Sequence, residues 1–356
     1  MKKELLLATT IAGITLGATA ASAVTGTMSG SNKVGLKDVD LDSDNTSDGT
    51  MSEDMQSNFS VSLEETMDSG TKIATSFVLA TEGTDGLNPS GLTLTFTDGS
   101  SLELVSAGNA YKDHEAGVPT ASGEMSLGQE SSNSAAIGID GIGANNAVGF
   151  AWHSAADVMG VEGLSVSLSY SNGDETTLTA TTASSAAADS SMSAGLTYVT
   201  TTGDTTVTIG AGMLEASDNN SNTLTDYSMY TLGAVATNGN LTVGAGMADG
   251  EYPDTDADLT NEVADWEAAE LGVKYVSGDL TFVASHRSSE AVDGQDGSTP
   301  SGSADAHEQN AVSVDYAVAS GVTTTIGMLN QTSKNEGVED KTGSGSSWYI
   351  GTNLSF

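Results

Sequence analysis

The chain has 356 residues, with 48 acidic against 10 basic side chains for a formal net charge of −38, and it has no cysteine. That balance is the reverse of the basic footprint that nucleic-acid binding needs. The missing cysteine excludes disulfides, thiolate metal sites and a cysteine nucleophile.

The N-terminus reads as a secretory signal peptide over residues 1–23. Lys2 and Lys3 form a basic start, Leu5 to Ala20 is mostly apolar, and Ala21-Ser-Ala23 is a small-residue cleavage site. Residues 24–356 then form a single domain. No later stretch reaches the ~18 apolar residues of a spanning helix, so any membrane crossing must be made by strands. A Gly-, Ser-, Thr- and Asp-rich, aromatic-poor composition also suits disorder, but the regular alternation that follows argues against it.

From Val24 onward a hairpin unit recurs: an alternating segment, a tight Gly/Asp/Asn turn, a second alternating segment, then a longer polar loop. The clearest pairs flank Met67-Asp-Ser-Gly70, Thr237-Asn-Gly-Asn240, Ser277-Gly278 and Ala319-Ser-Gly321, with others at Asp98-Gly99 and Thr202-Gly-Asp204. Such residues suit the positive-φ positions of hairpins. With an opening strand at 24–37, further strands at 145–153 and 163–170 and a final one, the reading gives 16 strands, an even number as barrel closure requires.

Tight connections fall on one side. Polar loops fall on the other, at 38–54, 82–90, 107–144, 171–191, 215–226, 249–265, 288–308 and 332–345. Short periplasmic turns opposite long outer loops mark outer-membrane barrels. Pro89, Pro119, Pro253 and Pro300 all fall in the proposed loops, as residues that break a ladder should.

Face parity is the sharper test. Phe59/Val61/Leu63, Leu92/Leu94/Phe96, Leu164/Val166/Leu168, Leu271/Val273, Leu280/Phe282 and Val312/Val314 form lipid-facing sets. Lumen parity falls to Lys33, Lys37, Glu64, Lys72, Glu103, Glu270, Lys274, Arg287 and Asp315. Glu65 and Glu267 break the rule near strand ends, where a lipid-face charge costs little. Tyr198, Tyr275 and Tyr316 sit at the short-turn rim, and Tyr170 and Trp348 at the other, as membrane anchors.

In the last strand Trp348, Ile350, Thr352, Leu354 and Phe356 share one face up to the terminal carboxylate. An aromatic edge left open would invite pairing with other chains; paired with the strand that begins at Val24, it becomes a closing seam. Trp348 to Phe356 spans roughly 26 Å at the usual rise, close to the ~25 Å apolar band of such barrels.

The signal peptide, 16 alternating strands, a very long third loop and a terminal Phe together resemble the general bacterial porins, particularly their alphaproteobacterial branch. The Met67-Asp-Ser-Gly-Thr-Lys72 turn is similar to a recurring hairpin of that branch. The resemblance implies a homotrimer in the outer membrane of a Gram-negative cell, forming a water-filled passive diffusion channel for small hydrophilic solutes. It also implies that the third loop, 107–144, folds inward as a constriction, its acids facing basic residues on the wall.

That loop carries Asp113, Glu115, Glu124, Glu130 and Asp140. Folded inward, they would raise the local concentration of cations; turned outward, they would only solvate the surface. The opposing basic wall is thin, because Arg287 is the sole arginine of the chain. The expectation is therefore a cation-preferring channel, with Arg287 either at the constriction or in a rim salt bridge of little energetic weight.

Two ladders, Asp38/Asp40/Asp42/Asp44 and Asp254/Asp256/Asp258, have a spacing that can gather carboxylates around Ca²⁺ or Mg²⁺. Neither is an EF-hand, and solvated acidic loops are the plain alternative. His114, His153, His286 and His307 show no zinc spacing, and Gly141-Ile-Gly143 fails the dinucleotide fingerprint, so no catalytic site or required cofactor is expected. Two rival readings stand beside the diffusion channel. One is an exported Ca²⁺-binding adhesin or surface-layer β-solenoid. The other is a substrate-specific channel, for which lumen-parity aromatics are sparse: Tyr349 and Tyr230 at most.

Overall fold

The computed structural model describes residues 24–41, 51–80, 86–89, 91–104, 110–122, 149–177, 187–220, 223–253, 263–292, 304–335 and 341–356. The signal peptide expected at 1–23 lies outside these residues. Strands β1 (Thr25–Leu41), β2 (Ser52–Thr66), β3 (Lys72–Ala80), β4 (Gly86–Pro89), β5 (Leu92–Thr95), β6 (Ser101–Leu104) and β7 (Gly149–His153) come first. After them run β8 (Leu164–Thr177), β9 (Ala187–Thr202), β10 (Thr205–Asn220), β11 (Thr223–Asn238) and β12 (Leu241–Pro253). The last are β13 (Val263–Ser277), β14 (Leu280–Val292), β15 (Ala304–Ala319), β16 (Val322–Asn335) and β17 (Lys341–Ser355).

Every pairing is antiparallel and, apart from β3 with β5, joins neighbours in sequence until β1 closes onto β17 from Ser31↔Ser355 to Leu41↔Gly345. Since β4 and β5 both pair with β3, they are two pieces of one barrel strand, and the barrel has 16 strands. Closure leaves no edge. It also removes the β-solenoid alternative, in which strands stack without closing.

The alternation in sequence becomes two faces with different surroundings. Leu271, Val312, Ile326 and Met328 are each about half exposed on the outer face. Inward neighbours such as Ala268, Val283, Ala311 and Leu329 are buried. An apolar outer belt is stable because lipid, not water, surrounds it. Tyr198, Tyr275 and Tyr316 lie on this outer face near the short turns, and Phe150 packs at 6.2 Å against Tyr170. Trp348, also outward, donates its Nε1–H to Asp38.

Short turns carry glycines at positive φ, among them Gly70, Gly203, Gly239, Gly278 and Gly321. One connection on that rim is longer: Ser154–Gly163 is braced by the Gly163 N–H donating to Asp157 Oδ1 at 2.6 Å. On this same rim Phe356 and Gly30 exchange two backbone hydrogen bonds, of 3.0 and 3.1 Å, zipping the C-terminus to the first strand.

The strands extend further into the outer side than their apolar residues suggest. Glu215 and Asp226, expected as the ends of a loop, instead lie within the β10–β11 ladder, opposite Ser228 and Ser217. Asp38 and Asp40 continue β1, and Asp54 belongs to β2. Glu267 is not near a strand end but well inside β13, in an outward row with Asp249 and Glu290. Pro89 and Pro253 are terminal strand residues opposite Phe77 and Val263, not loop residues. A terminal position does not need the missing N–H. The reason is common to all: above the apolar belt, backbone pairing continues with polar side chains, and hydrophobic alternation cannot report it.

Candidate functional site: the barrel lumen

The inner face defines the site, and the segment Ala110–Ser122 lies within it. Ala110 and Tyr111 donate backbone N–H groups to Ser169 and Ser193, at 3.1 and 3.4 Å. His114 Nδ1 lies 2.8 Å from Thr197 Oγ1, and its Nε2 lies 2.6 Å from Ser167 Oγ. At the other end Ala121 N–H donates to Ser285 Oγ, and Ser122 N–H to Ser313 Oγ. The Ser122 hydroxyl donates to Asp315 Oδ2 at 2.9 Å, and Thr325 donates to Oδ1 of the same carboxylate at 2.6 Å. The segment thus crosses the inside of the barrel from β8 to β15, and Ala110, Tyr111, His114, Ala116 and Val118 are buried against the wall.

Where it passes, the wall carries glycine. Gly195, Gly210, Gly212, Gly233, Gly244 and Gly272 sit beneath it on five consecutive strands, β9 to β13, and a Cβ at any of them would press on the segment. Ala121 packs against the inward cluster of Ala311, Leu329 and Tyr349.

On the side away from the segment's start, a cavity of about 570 Å³ remains. Its lining includes Lys33, Asn58, Ser122, Asp315, Thr325 and Tyr349. Hydroxyls, amides and a few charges make a wall that water and hydrophilic solutes wet. Lys33 reaches Asp54 at 3.4 Å and lies 5.5 Å over the Tyr349 ring, which itself lies across Gly35 and Gly351.

Opposite, His153 gathers carboxylates: Asp113 at 3.6 Å and Glu103 at 3.9 Å. Burial raises the Asp113 carboxyl above the ordinary Asp value, with the charge of His153 opposing and that of Glu103 adding. Burial, and then His153, hold the His114 imidazole below its ordinary value. The Ser167 hydroxyl lies between the two imidazoles, 2.6 Å from His114 Nε2 and 2.8 Å from His153 Nδ1, so a serine, two histidines and two carboxylates line this side of the lumen together.

The profile of the Gram-negative porin family matches residues 8–336. The chain belongs to that family. Among solved structures, this porin is similar to the outer-membrane channel DcaP of Acinetobacter baumannii at 12% identity, covering 97% of this chain and 100% of that one with a TM-score of 0.62. It is similar to an anion-selective porin from Comamonas acidovorans at 13% identity, 93% and 100% coverage and a TM-score of 0.61. OmpT of Vibrio cholerae in a trimer form gives 14% identity, 93% and 99% coverage and a TM-score of 0.57. At these identities the likeness establishes the fold. A search of curated proteins finds no match. Family and fold place this porin in the outer membrane as a channel.

Asp113 and Glu115 lie on the inner segment; Glu124, Glu130 and Asp140 lie outside the described residues. Arg287 faces inward from β14, 3.8 Å from its register partner Glu270 on β13. Lys72 and Glu64 form an exposed 3.0 Å pair at the short-turn rim. Lys37 and Lys274 share the inner face with Tyr349 and with Thr242, their register partners. Asp315 anchors the segment rather than standing open on the wall.

Tyr230 does not face the lumen as expected: it shares the outward face of β11 with Leu232, while Thr231 and Gly233 face inward. Of the acidic ladders, Asp40 is exposed at the end of β1, and Asp42, Asp44, Asp254, Asp256 and Asp258 lie outside the described residues. Among the described residues no group of three metal-ligating side chains could hold an ion.

In the sequence His114 and His153 are only histidines without zinc spacing, and Ser167 carries no signal of its own. The one legible hint was that His153 and Glu103 both fall on lumen parity of strands that prove to be neighbours.

Proposed function

We propose that this porin is a passive, cation-preferring diffusion channel for small hydrophilic solutes and ions. The observation that carries the reading is how the inner wall disposes of its charge. Lys33, Lys72 and Arg287 are each held against a carboxylate of the wall itself, Asp54, Glu64 and Glu270. Asp113 and Glu103, by contrast, converge on an imidazole. Paired cations contribute little net field to the passage, whereas the acidic cluster, backed by a chain charge of −38, concentrates cations. The Comamonas acidovorans porin is anion-selective on a similar fold, so selectivity must come from the lining and not from the barrel.

A homotrimer belongs to the same proposal, supported by the trimer form of the Vibrio cholerae protein. No chemical step and no cofactor enter it. The test is the reversal potential of the purified porin in planar bilayers under a KCl gradient. A potential on the K⁺ side is expected, and one on the Cl⁻ side would overturn the reading.

A further inference from the structure

The inner segment has no regular structure beyond one short turn at Lys112–His114, yet it is buried along the wall. Something must set how far it stands from the strands. Side chains on the inner face of a barrel ordinarily project inward along every strand. A backbone lying across them would be held away from the sheet by at least a side chain's thickness.

Here that thickness is missing wherever the segment passes. At Gly272 an added Cβ would fall on the carbonyl oxygen of Pro119, and at Gly210 on that of His114. At Gly212 it would lie 2.7 Å from Tyr111 Cβ, at Gly233 2.8 Å from Ala116 Cβ, and at Gly195 2.7 Å from the carbonyl oxygen of Ala110. At Gly244 it would lie 3.1 Å from Pro119 Cδ and 3.2 Å from Val118 Cα. Carbon atoms at rest stand about 3.5–4.0 Å apart, so the neighbours at most of these positions would have to retreat. The neighbours are mostly backbone and Cβ atoms, which cannot swing aside as a long side chain can.

Glycine is a poor choice for a strand interior on local grounds, because it is entropically costly and packs nothing. Six such residues under one segment, on adjacent strands, therefore point to a purpose in the close approach itself.

We propose that the inward glycines of β9–β13 are positioning residues that set the aperture of the channel. They form a trough that recesses Ala110–Pro119 into the wall, and so leave open the cavity lined by Lys33, Asn58 and Asp315 on the opposite side. The trough ends where side-chain anchors take over, the hydroxyls of Ser285 and Ser313 and the carboxylate of Asp315. Any side chain placed in the trough pushes the segment toward the axis and narrows the passage, without changing the charge of the lining. This rests on the channel reading, but not on its cation preference.

The experiment compares single-channel conductance and reversal potential of the full porin with those of Gly272→Ala, Gly210→Ala and Gly233→Ala. Heat-modifiable gel mobility reports assembly. Gly26→Ala is the control, since its added methyl meets only Leu63 at an ordinary 3.5 Å. The trough variants are expected to assemble and lose conductance, with the reversal potential unmoved. For Gly233→Ala the obstructing atom is the Ala116 Cβ, so the double variant Gly233→Ala with Ala116→Gly should recover conductance.

That pair keeps the test decisive if Gly272→Ala or Gly210→Ala fails to assemble. Assembled trough variants that conduct like the parent would overturn the proposal. So would a Gly233→Ala loss that Ala116→Gly leaves undiminished. A parent that conducts no ions at all would instead overturn the channel reading on which the proposal stands.

Discussion

His114 and His153 meet at a single hydroxyl, that of Ser167, whose Oγ lies 2.6 Å from His114 Nε2 and 2.8 Å from His153 Nδ1. One hydroxyl can donate to one ring and accept from the other, so the contact is satisfied when either ring is neutral, whereas two charged rings would repel across it. It couples the inner segment to the acidic cluster.

A pH dependence follows. His114 is held below its ordinary value of 6.5, so on acidification the unfolded chain takes a proton before the folded one does. In that window the unfolded state binds more protons, and stability falls as pH falls. The contribution of the His114 clamp is therefore fully present above 6.5 and lost progressively as pH falls from there through the lowered value of the folded imidazole. Asp113, raised by burial, works the other way: its penalty at neutral pH is relieved as the folded carboxyl takes up a proton. Current noise from the segment should rise in parent channels brought from pH 7 toward pH 5, and His114→Gln should flatten that rise. An identical rise in the variant would count against the clamp.

Lys33 guards a buried carboxylate. The Asp54 side chain is 4% exposed, so Lys33→Ala leaves an uncompensated charge against the wall. The expected destabilisation is about 3 kcal/mol, the lower end for breaking a buried pair. Replacing both, as Lys33→Met with Asp54→Leu, should restore most of it. Urea unfolding of the refolded barrel measures both, and a double variant as weak as the single would refute the account.

Selectivity should respond to the acidic cluster. Asp113→Asn with Glu103→Gln removes two charges beside His153 while keeping the shape of the lining. The K⁺ over Cl⁻ preference should drop, with conductance in concentrated salt nearly unchanged, because screening already weakens the field there. An unaltered reversal potential would place the selectivity elsewhere.

Deleting Phe356 removes both backbone bonds to Gly30 and the outward ring at the seam. The barrel then closes with a frayed end in the membrane, where unsatisfied backbone groups cost several kcal/mol. The heat-modifiable fraction should fall sharply; equal yields of folded protein would show that closure does not depend on this residue.

Much of the architecture was legible in the chain. Period-two alternation assigned faces at Leu271/Val273 and Val312/Val314, because a residue pointing to lipid must be apolar wherever the strand lies in the membrane. Turn glycines such as Gly239 and Gly278 located the short rim, because their backbone needs positive φ. Strand ends on the outer side were not legible. Glu215, Asp54 and Glu267 continue their ladders in water, where pairing no longer demands apolar side chains.

The sequence alone thus determined a closed barrel, its sidedness and its acidic character, since these follow from local rules repeated along every strand. Only the tertiary structure decided which inner-face residues meet. Asp38 finds Trp348, and Lys33 finds Tyr349, because closure joins the first strand to the last across some three hundred residues. The seat of the inner segment is a similar case. Six glycines that look like weak points on five strands become one trough only when register aligns them beneath Ala110–Pro119, and no local pattern carries that alignment.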